Sequence, residues 1–212
     1  MLLQKTLLLP NLSLSIFRES NPEIKKYLDD NRLTLQGLEG EYMKKVVDIA
    51  SSIGFKSMVW QEVIDHGGKP PTDTVVQVWK GNHAVEMMQV TGKGYNVLLS
   101  SCWYLDALKS GGDWLDFYRC DPYYFPGTSE QKSRVMGGEA AMWAEVVDAN
   151  NVMPRVWPRA SAVAEKLWSS GAVTDETDAA KRLEEHVCRM NRRGINAQPP
   201  NGPGFCIDSN FS

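Results

Sequence analysis

Apolar residues recur along this chain with two different spacings, and segments of each kind alternate. Steps of three and four over residues 38–53 predict an amphipathic helix, with one face formed by Leu38, Tyr42, Val46, Ile49 and Ile53. Gly54 follows directly, as a glycine often does just past the end of a helix. The pattern then changes to short apolar runs, which indicate strands.

Four short runs have the length and composition of buried strands. They cover residues 56–62, 74–80, 95–101 and 134–143, and Gly137-Gly138 in the last run permits close backbone approach. Helical spacing returns in residues 82–91, after Pro158 with Val163 and Leu167 on one face, and in residues 175–193. The apolar face of the last helix is predicted to hold Leu183, Val187 and Met190.

Strands of near-continuous apolar character that alternate with helices predict an α/β protein with a parallel sheet covered by helices. The two common arrangements are the doubly wound sheet and the (β/α)8 barrel. No GxGxxG or phosphate-binding loop follows any of the runs, so nucleotide binding is unsupported.

Composition narrows the function classes. Apolar residues make up 42% of the 212 residues and charged residues 23%, as in ordinary soluble globular proteins. A net charge of −3 argues against a nucleic-acid partner, and no run is long enough for a transmembrane segment. The opening residues MLLQKTLLLP make a poor signal peptide, because Gln4 and Lys5 interrupt the apolar run and no clean cleavage site follows.

The four cysteines form no CxxC pair, and the chain has three histidines. No spacing of metal ligands results, so we expect no metal and no cofactor. Cys188 and Cys206 close a short, proline-rich loop, which predicts a disulfide worth roughly 3 kcal/mol and an oxidising compartment. Cys102 and Cys120 carry no pairing prediction.

An aromatic residue stands at or just beyond the end of every predicted strand. These residues are Trp60, Trp79, Trp103 and Trp143, and carboxylates follow closely at Glu62, Asp106 and Glu145. In a barrel such ends gather at one rim, where rings stack on the C–H face of a sugar and carboxylates accept from its hydroxyls. Core packing is the alternative for any one tryptophan. Spacing also leaves open that Asp106 and Glu145 are the acid and nucleophile of a glycosidase.

The segments MVWQEV, VVQVWK, CWYLDAL, GGEAAMWAE and PRVWPRASAVAEKLW closely resemble the β-N-acetylhexosaminidases of glycoside hydrolase family 20. The resemblance implies a (β/α)8 TIM barrel, in which the four runs are the fifth to eighth strands. Residues 1–17 are then a non-matching segment, and residues 18–212 form the C-terminal half of the catalytic domain. We expect an incomplete, open barrel whose two outer strands are unpaired edges.

The same resemblance assigns roles to single residues. Trp60, Trp79 and Trp143 would wall the pocket for the terminal sugar. Tyr104 would hydrogen-bond the acetamido carbonyl and so orient it, and Asp106 and Glu145 would bind hydroxyls. The implied reaction is hydrolysis of terminal non-reducing N-acetyl-β-D-hexosamine (GlcNAc or GalNAc) from oligosaccharides and glycoconjugates. It follows a retaining, substrate-assisted mechanism, in which the acetamido oxygen attacks the anomeric carbon.

The chain departs from the family where the catalytic Asp-Glu pair belongs, just before the segment FRESNP. That place holds LLLPNLSLSI, which contains no acid, and Glu19 matches a position after the pair. The hydroxyl-binding Arg of the family's first strand is also missing. We therefore expect residues 1–16 to be foreign to the fold, no acid/base residue in this chain, and no activity from the chain alone.

Three hypotheses remain. The first is a hexosaminidase half that needs an N-terminal half to close the barrel; the second is a non-catalytic sugar-binding fragment; the third is a fragment without stable function. The resemblance adds a lysosomal or secreted location and a homo- or heterodimer. It also implies a preference for neutral sugars, since subunits tolerant of sulfated substrates carry Asn and Arg where this chain has Asp106 and Ala107.

Overall fold

The structure is a computed structural model that describes residues 20–107, 112–203 and 206. Its strands are β1 (Met58–Trp60), β2 (Val75–Val78), β3 (Asn96–Leu99) and β4 (Val135–Gly138). Its helices are α1 (Pro22–Asn31), α2 (Leu35–Ser52), α3 (Glu62–Asp65), α4 (His83–Gly92), α5 (Trp114–Arg119), α6 (Ser129–Ser133), α7 (Val152–Val156), α8 (Arg159–Trp168) and α9 (Glu176–Arg192). The segment predicted to be foreign, residues 1–16, lies outside the described residues.

The four strands form one parallel sheet in the order β1-β2-β3-β4. β1 and β2 pair in the register Met58↔Val75, Val59↔Val76 and Trp60↔Gln77. Parallel neighbours need a crossover, and helices lie between successive strands in the chain. The predicted α/β class with half of a barrel's eight strands is therefore confirmed.

The strands are shorter than the predicted runs because the chain turns at their ends. The N–H of Gln61 still donates to Gln77 O, but Ile64 and Asp65 then donate back to Gln61 O, so Glu62 begins α3 instead of ending β1. The helix α1 was not predicted. Its signal was present, since Asn21 caps the N-terminus and Pro22 occupies the first turn.

The first of two compact units runs to Leu98 and takes in Pro126–Met136. Its core holds Val59, Val76, Val78, Met87 and Val90, each at most 2% exposed. Helix α2 buries Gly40, Val47 and Ala50 in this unit. The helical face predicted from Tyr42, Ile49 and Ile53 exists, but all three side chains are exposed.

The second unit comprises Leu99–Phe125 and residues from Gly137 onwards. One cluster packs α5, α8 and α9 through Trp114, Tyr118, Ala162, Ala179 and Leu183, and another joins Val187, Met190 and Ala197. The predicted apolar face of α9 is thus buried. On α8, Val163 is buried, whereas Leu167, predicted on the same face, is 37% exposed.

Two disulfides lie in the second unit. Cys188 and Cys206 are bonded, with Cα atoms 5.4 Å apart, as the spacing predicted. Cys102 and Cys120 form the second bond, with Cα atoms 6.4 Å apart. This bond closes a loop around the segment that carries Tyr104 and Asp106.

None of the helices that the structure describes is long and apolar enough to cross a lipid bilayer.

Candidate functional site

Two of the predicted sugar-binding tryptophans lie together in the first unit. Trp60 is the last residue of β1, and Trp79 directly follows β2. Their ring centroids are 6.0 Å apart and their planes meet at 78°, an edge-to-face pair. Both side chains are only partly buried. The ends of β1 and β2 therefore place two half-buried aromatic rings side by side.

The ring of Trp79 is held by a carboxylate. Both oxygens of Glu62 accept from the Trp79 indole N–H, each at 2.8 Å. Lys80 Nζ lies 2.9 Å from Glu62 Oε1 and 5.2 Å from the centroid of the Trp79 ring. A charge-assisted hydrogen bond of this kind is stronger than a neutral one, so Glu62 fixes the direction in which the ring faces.

The buried side chain of Gln61 connects the ends of β1 and β2. Its side chain is 1% exposed, and its Oε1 accepts from the backbone N–H groups of Trp79 at 2.9 Å and Lys80 at 3.1 Å. Its Nε2 donates to Asp65 Oδ2 at 3.2 Å. These supporting roles were not predicted, although WQE and VWK at the ends of successive strands were the available signal.

A carboxyl group beside this network has a shifted pKa. Burial raises the pKa of Glu86, and the negative charge of Asp65 raises it further against smaller opposing effects of Lys93 and Lys80. Glu86 Oε2 is buried and has no hydrogen-bond partner among the described residues. Ionised Glu86 therefore carries a desolvation penalty in the folded protein.

In the second unit, Trp103 differs from the other strand-end tryptophans. It is fully buried, and its indole N–H donates to Phe117 O at 2.9 Å. A side chain at Gly138 would collide with the Trp103 ring, so only glycine allows this packing. Trp103 is a core residue, which is the alternative left open for any one of the four tryptophans.

The remaining predicted site residues occupy two matching segments of this unit. Tyr104 and Asp106 lie five and seven positions past Leu99, where β3 ends, and Trp143 and Glu145 lie the same distances past Gly138, where β4 ends. Ala141 N–H donates to Trp103 O at 2.9 Å, and Leu105 N–H to Ala141 O at 2.8 Å. Parallel pairing thus continues beyond the strands and joins the two segments. Glu145 is exposed, and the other three are partly buried.

Two arginines hold the backbone of the Tyr104–Asp106 segment. The guanidinium of Arg159, at the start of α8, forms an ion pair with Asp113 at 2.8 Å in which both side chains are at most 6% exposed. It also donates to the carbonyl oxygens of Leu105 and Ala107. Arg155 donates to Asp106 O at 2.9 Å. These roles were missed, though both residues lie in the PRVWPRA motif.

One side-chain oxygen of Asp106 has no hydrogen-bond donor among the described residues. Asp106 Oδ1 is buried and accepts no hydrogen bond within the described part of the chain. Buried polar atoms in proteins nearly always have a partner, and a carboxylate oxygen can only accept. A ligand hydroxyl would meet this requirement. Among the described residues, no group of three His, Cys, Asp or Glu side chains could hold a metal ion.

Comparison with known proteins identifies the family of the chain. Residues 17–171 match the glycosyl hydrolase family 20 catalytic domain. The chain is 48% identical over 183 residues to the beta-hexosaminidase subunit beta of Mus musculus and 46% identical over 196 residues to that of Homo sapiens. These matches cover 85% and 91% of this chain, but 34% and 35% of the relatives. The chain therefore spans about a third of the length of these relatives.

The fold has counterparts among solved structures. The chitobiase of Flavobacterium johnsoniae superposes with a TM-score of 0.76 at 27% identity, over 87% of this chain and 29% of that one. That similarity places the four-stranded sheet within a larger catalytic domain, in line with the extent of the sequence matches. The chain belongs to glycosyl hydrolase family 20, and it carries part of that family's catalytic domain.

Proposed function

We propose that this chain serves in the hydrolysis of terminal non-reducing N-acetyl-β-D-hexosamine, GlcNAc or GalNAc, from oligosaccharides and glycoconjugates. It contributes the fifth to eighth strands, residues 18–212, of a barrel whose first half supplies the orienting Asp and the acid/base Glu. The reaction is retaining and substrate-assisted, so the protein needs one acid/base carboxyl group and a residue that orients the acetamide. No metal or cofactor takes part.

The proposed roles rest on the family resemblance, and contacts around Trp79 and Asp106 support them. Trp60, Trp79 and Trp143 contact the sugar ring, because aromatic faces remove its C–H face from water. Tyr104 donates to the acetamido carbonyl, which holds that group against the anomeric carbon. Asp106 and Glu145 accept from hydroxyls. The fixed ring of Trp79 and the clamped backbone at Asp106 support these assignments, since binding groups act best when their positions are set beforehand.

Asp106 carries the proposal. Its buried Oδ1 lacks a donor among the described residues, while its backbone oxygen is held by Arg155. A carboxylate on a held stretch of backbone that can still accept one hydrogen bond is suited to a sugar hydroxyl. The family relationship and this oxygen together favour a hexosamine-binding role.

The proposal includes a partner and a compartment. Closure of an eight-stranded barrel needs the first four strands, and the complete enzyme assembles as a homo- or heterodimer. Two disulfides fit an oxidising environment, and so a lysosomal or secreted enzyme. The net charge of −3 fits a protein that does not bind nucleic acid.

Turnover of a p-nitrophenyl N-acetyl-β-D-glucosaminide tests the proposed function. The chain alone should be inactive, because the proposed acid/base Glu belongs to the first half of the barrel. General acid catalysis contributes about 10²–10⁴-fold to the rate. Co-expression with the first half of the mouse relative's barrel should restore hydrolysis, and Asp106→Ala or Glu145→Ala in that complex should mainly raise KM. Turnover by the chain alone that both substitutions abolish would instead make this pair catalytic.

Asp106 also bears on the finer choice of substrate. A carboxylate near the 6-position of the sugar would repel a 6-sulfate by roughly 4 kcal/mol at 4 Å and an effective dielectric constant near 20. Asp106→Asn with Ala107→Arg should therefore shift the kcat/KM ratio of the complemented enzyme towards 6-sulfated GlcNAc. An unchanged ratio would remove Asp106 from specificity.

A second candidate function is sugar binding without chemistry. The Trp60–Trp79 pair and its Glu62 support are built within the first unit alone. Titration of the isolated chain with GlcNAc, followed by tryptophan fluorescence, should then saturate without release of product. Absence of any spectral change would dismiss this candidate.

A further inference from the structure

An asparagine in the tail after α9 binds two helices of the second unit. Asn201 Oδ1 accepts from the indole N–H of Trp114 on α5 at 2.9 Å. Asn201 Nδ2 donates to Glu184 Oε1 on α9, also at 2.9 Å. Because an indole can only donate and a carboxylate can only accept, the two partners fix which end of the amide faces which helix. Asn201 itself is exposed, whereas Trp114 is buried.

A glycine follows this asparagine, and Asn201-Gly202 is the one Asn-Gly pair in the sequence. Gly202 has a φ of 111°, which residues with a side chain rarely adopt, and a Cβ there would meet nothing within 4 Å. Its backbone N–H donates to no group in the described part of the chain. The Gly202 nitrogen is therefore unhindered, and it lies one residue away from the side-chain carbonyl of Asn201.

Attack by the Gly202 nitrogen on Cγ of Asn201 closes a succinimide ring. The N–Cγ bond forms and the Cγ–Nδ2 bond breaks, and Nδ2 leaves as ammonia with the proton that the Gly202 nitrogen gives up. Water then opens the ring at either carbonyl, which yields aspartate or isoaspartate. The reaction consumes only water, and it is intramolecular because adjacent residues carry both reacting groups.

Both partners of Asn201 contact atoms that take part in this reaction. Negative charge develops on Oδ1 during the attack, and the Trp114 N–H lies at the distance from which a donor stabilises such an oxygen. Glu184 Oε1 contacts Nδ2, the atom that must gain a proton before it leaves. A carboxyl group in that position can pass on the proton that the Gly202 nitrogen loses. The fold thus places an oxyanion donor and a proton carrier at the two ends of one amide.

We propose that Asn201 is a self-modifying site, at which the chain deamidates to aspartate and isoaspartate with the help of Trp114 and Glu184. The product opens the contact, because a carboxylate at position 201 repels the carboxylate of Glu184. Isoaspartate also adds its Cβ to the main chain, which lengthens the tail. The tail is then released from α5 and α9 at this point, while the disulfide between Cys188 and Cys206 still holds it to α9 further along.

Prolonged incubation of the purified chain in neutral buffer at physiological temperature tests the site. After tryptic digestion, tandem mass spectrometry should find the mass gain of an amide-to-acid conversion at Asn201 and not at Asn196, and chromatography should separate the aspartate and isoaspartate forms. A synthetic peptide of residues 198–204 gives the reference rate without the fold. Conversion should be several-fold faster in the folded chain than in the peptide, because the peptide lacks Trp114 and Glu184.

A matched pair of variants on α9 tests the proton carrier. Glu184→Gln keeps an acceptor for Asn201 Nδ2 but cannot carry a proton, so conversion should slow several-fold although the contact is retained. Glu185→Gln makes the same change at the next residue, which pairs with Arg189 on the surface, and should react as the unchanged chain does. Circular dichroism of both variants establishes that they are folded.

A second pair of variants tests the effect of the product. Asn201→Asp should lower the Tm and speed hydrogen exchange at the Trp114 indole N–H, which loses its acceptor when the tail is released. Asn196→Asp puts the same charge at an exposed tail residue and should change neither measurement.

Three results would overturn the proposal. The first is conversion in the folded chain that is no faster than in the peptide, which would show that the fold gives no help. The second is an equal rate for Glu184→Gln and Glu185→Gln. The third is an unchanged Tm and an unchanged indole exchange rate in Asn201→Asp, which would show that the product leaves the tail in place.

Discussion

At the scale of single residues, the support of Trp79 by Glu62 is a directly testable contact. Glu62→Ala removes a charged acceptor from the indole N–H, a kind of hydrogen bond worth about 1.5–3 kcal/mol. We expect Trp79 to lose its fixed orientation and GlcNAc binding to weaken several-fold in a fluorescence titration. Glu62→Gln should restore part of the affinity, because its amide oxygen can still accept. Glu130→Ala, at an exposed ion pair with Arg134, is the control and should leave binding unchanged.

Glu86 predicts a specific dependence of stability on pH. Its pKa is raised in the folded protein, first by burial and then by Asp65, so the folded state holds this proton more tightly than the unfolded state. Its contribution is therefore neutral well below pH 4.5 and becomes unfavourable as the pH rises through the raised pKa. Glu86→Gln should raise the Tm at pH 7 relative to the unchanged chain, and the gain should disappear in acid. A gain that is the same at both pH values would refute this account.

At the scale of elements, Arg159 joins α8 to the segment that carries Asp106. Arg159→Met leaves Asp113 as an unpaired buried carboxylate, and breaking a buried ion pair in this way costs about 3–5 kcal/mol. Chemical denaturation should show a loss of that size, and the exposed pair of Arg189 with Glu185 gives the control, since Arg189→Met should cost no more than about 1 kcal/mol. Adding Asp113→Leu to Arg159→Met should recover part of the loss. If it does not, the backbone contacts of Arg159 matter more than its charge.

Elements also show where periodicity in the sequence is sufficient to predict a structure. The period of α9 predicted its buried face correctly, because Leu183, Val187 and Met190 pack against partners within the same chain. The same period found the face of α2, yet Tyr42, Ile49 and Ile53 are exposed. A hydrophobic pattern predicts which face of a helix is apolar. It does not predict whether another element packs against that face.

The strand ends were harder to predict, for a related reason. An aromatic residue after a strand fits both a pocket wall and a core, and only tertiary packing separates Trp103 from Trp79. Gly138 made the difference for Trp103, since its missing side chain leaves room for the ring. Likewise, the roles of Arg155 and Arg159 depend on carbonyl oxygens about fifty residues away in the chain, which no local pattern encodes.

At the scale of the whole molecule, low net charge and the exposed apolar side chains of Tyr42, Ile49 and Ile53 should together limit solubility. The sequence has a pI near 5.7, and proteins associate most readily where their charge approaches zero. We expect turbidity of the purified chain to peak near that pH. Ile49→Glu with Ile53→Glu should lower the peak more than Ser51→Glu with Ser52→Glu, although both add the same charge. Equal effects of the two variants would assign the turbidity to charge alone.

The disulfide between Cys102 and Cys120 has a consequence for protease resistance. The loop that it closes contains Tyr104 and Asp106, the backbone of which is also held by Arg155 and Arg159. A peptide bond cut anywhere inside this loop would leave the two fragments covalently joined. The nicked protein would run as one band on a non-reducing gel and as two bands after reduction, because the bond still joins Cys102 to Cys120. A protease could thus cut a peptide bond beside Tyr104 or Asp106 while both pieces of the segment stay in the protein.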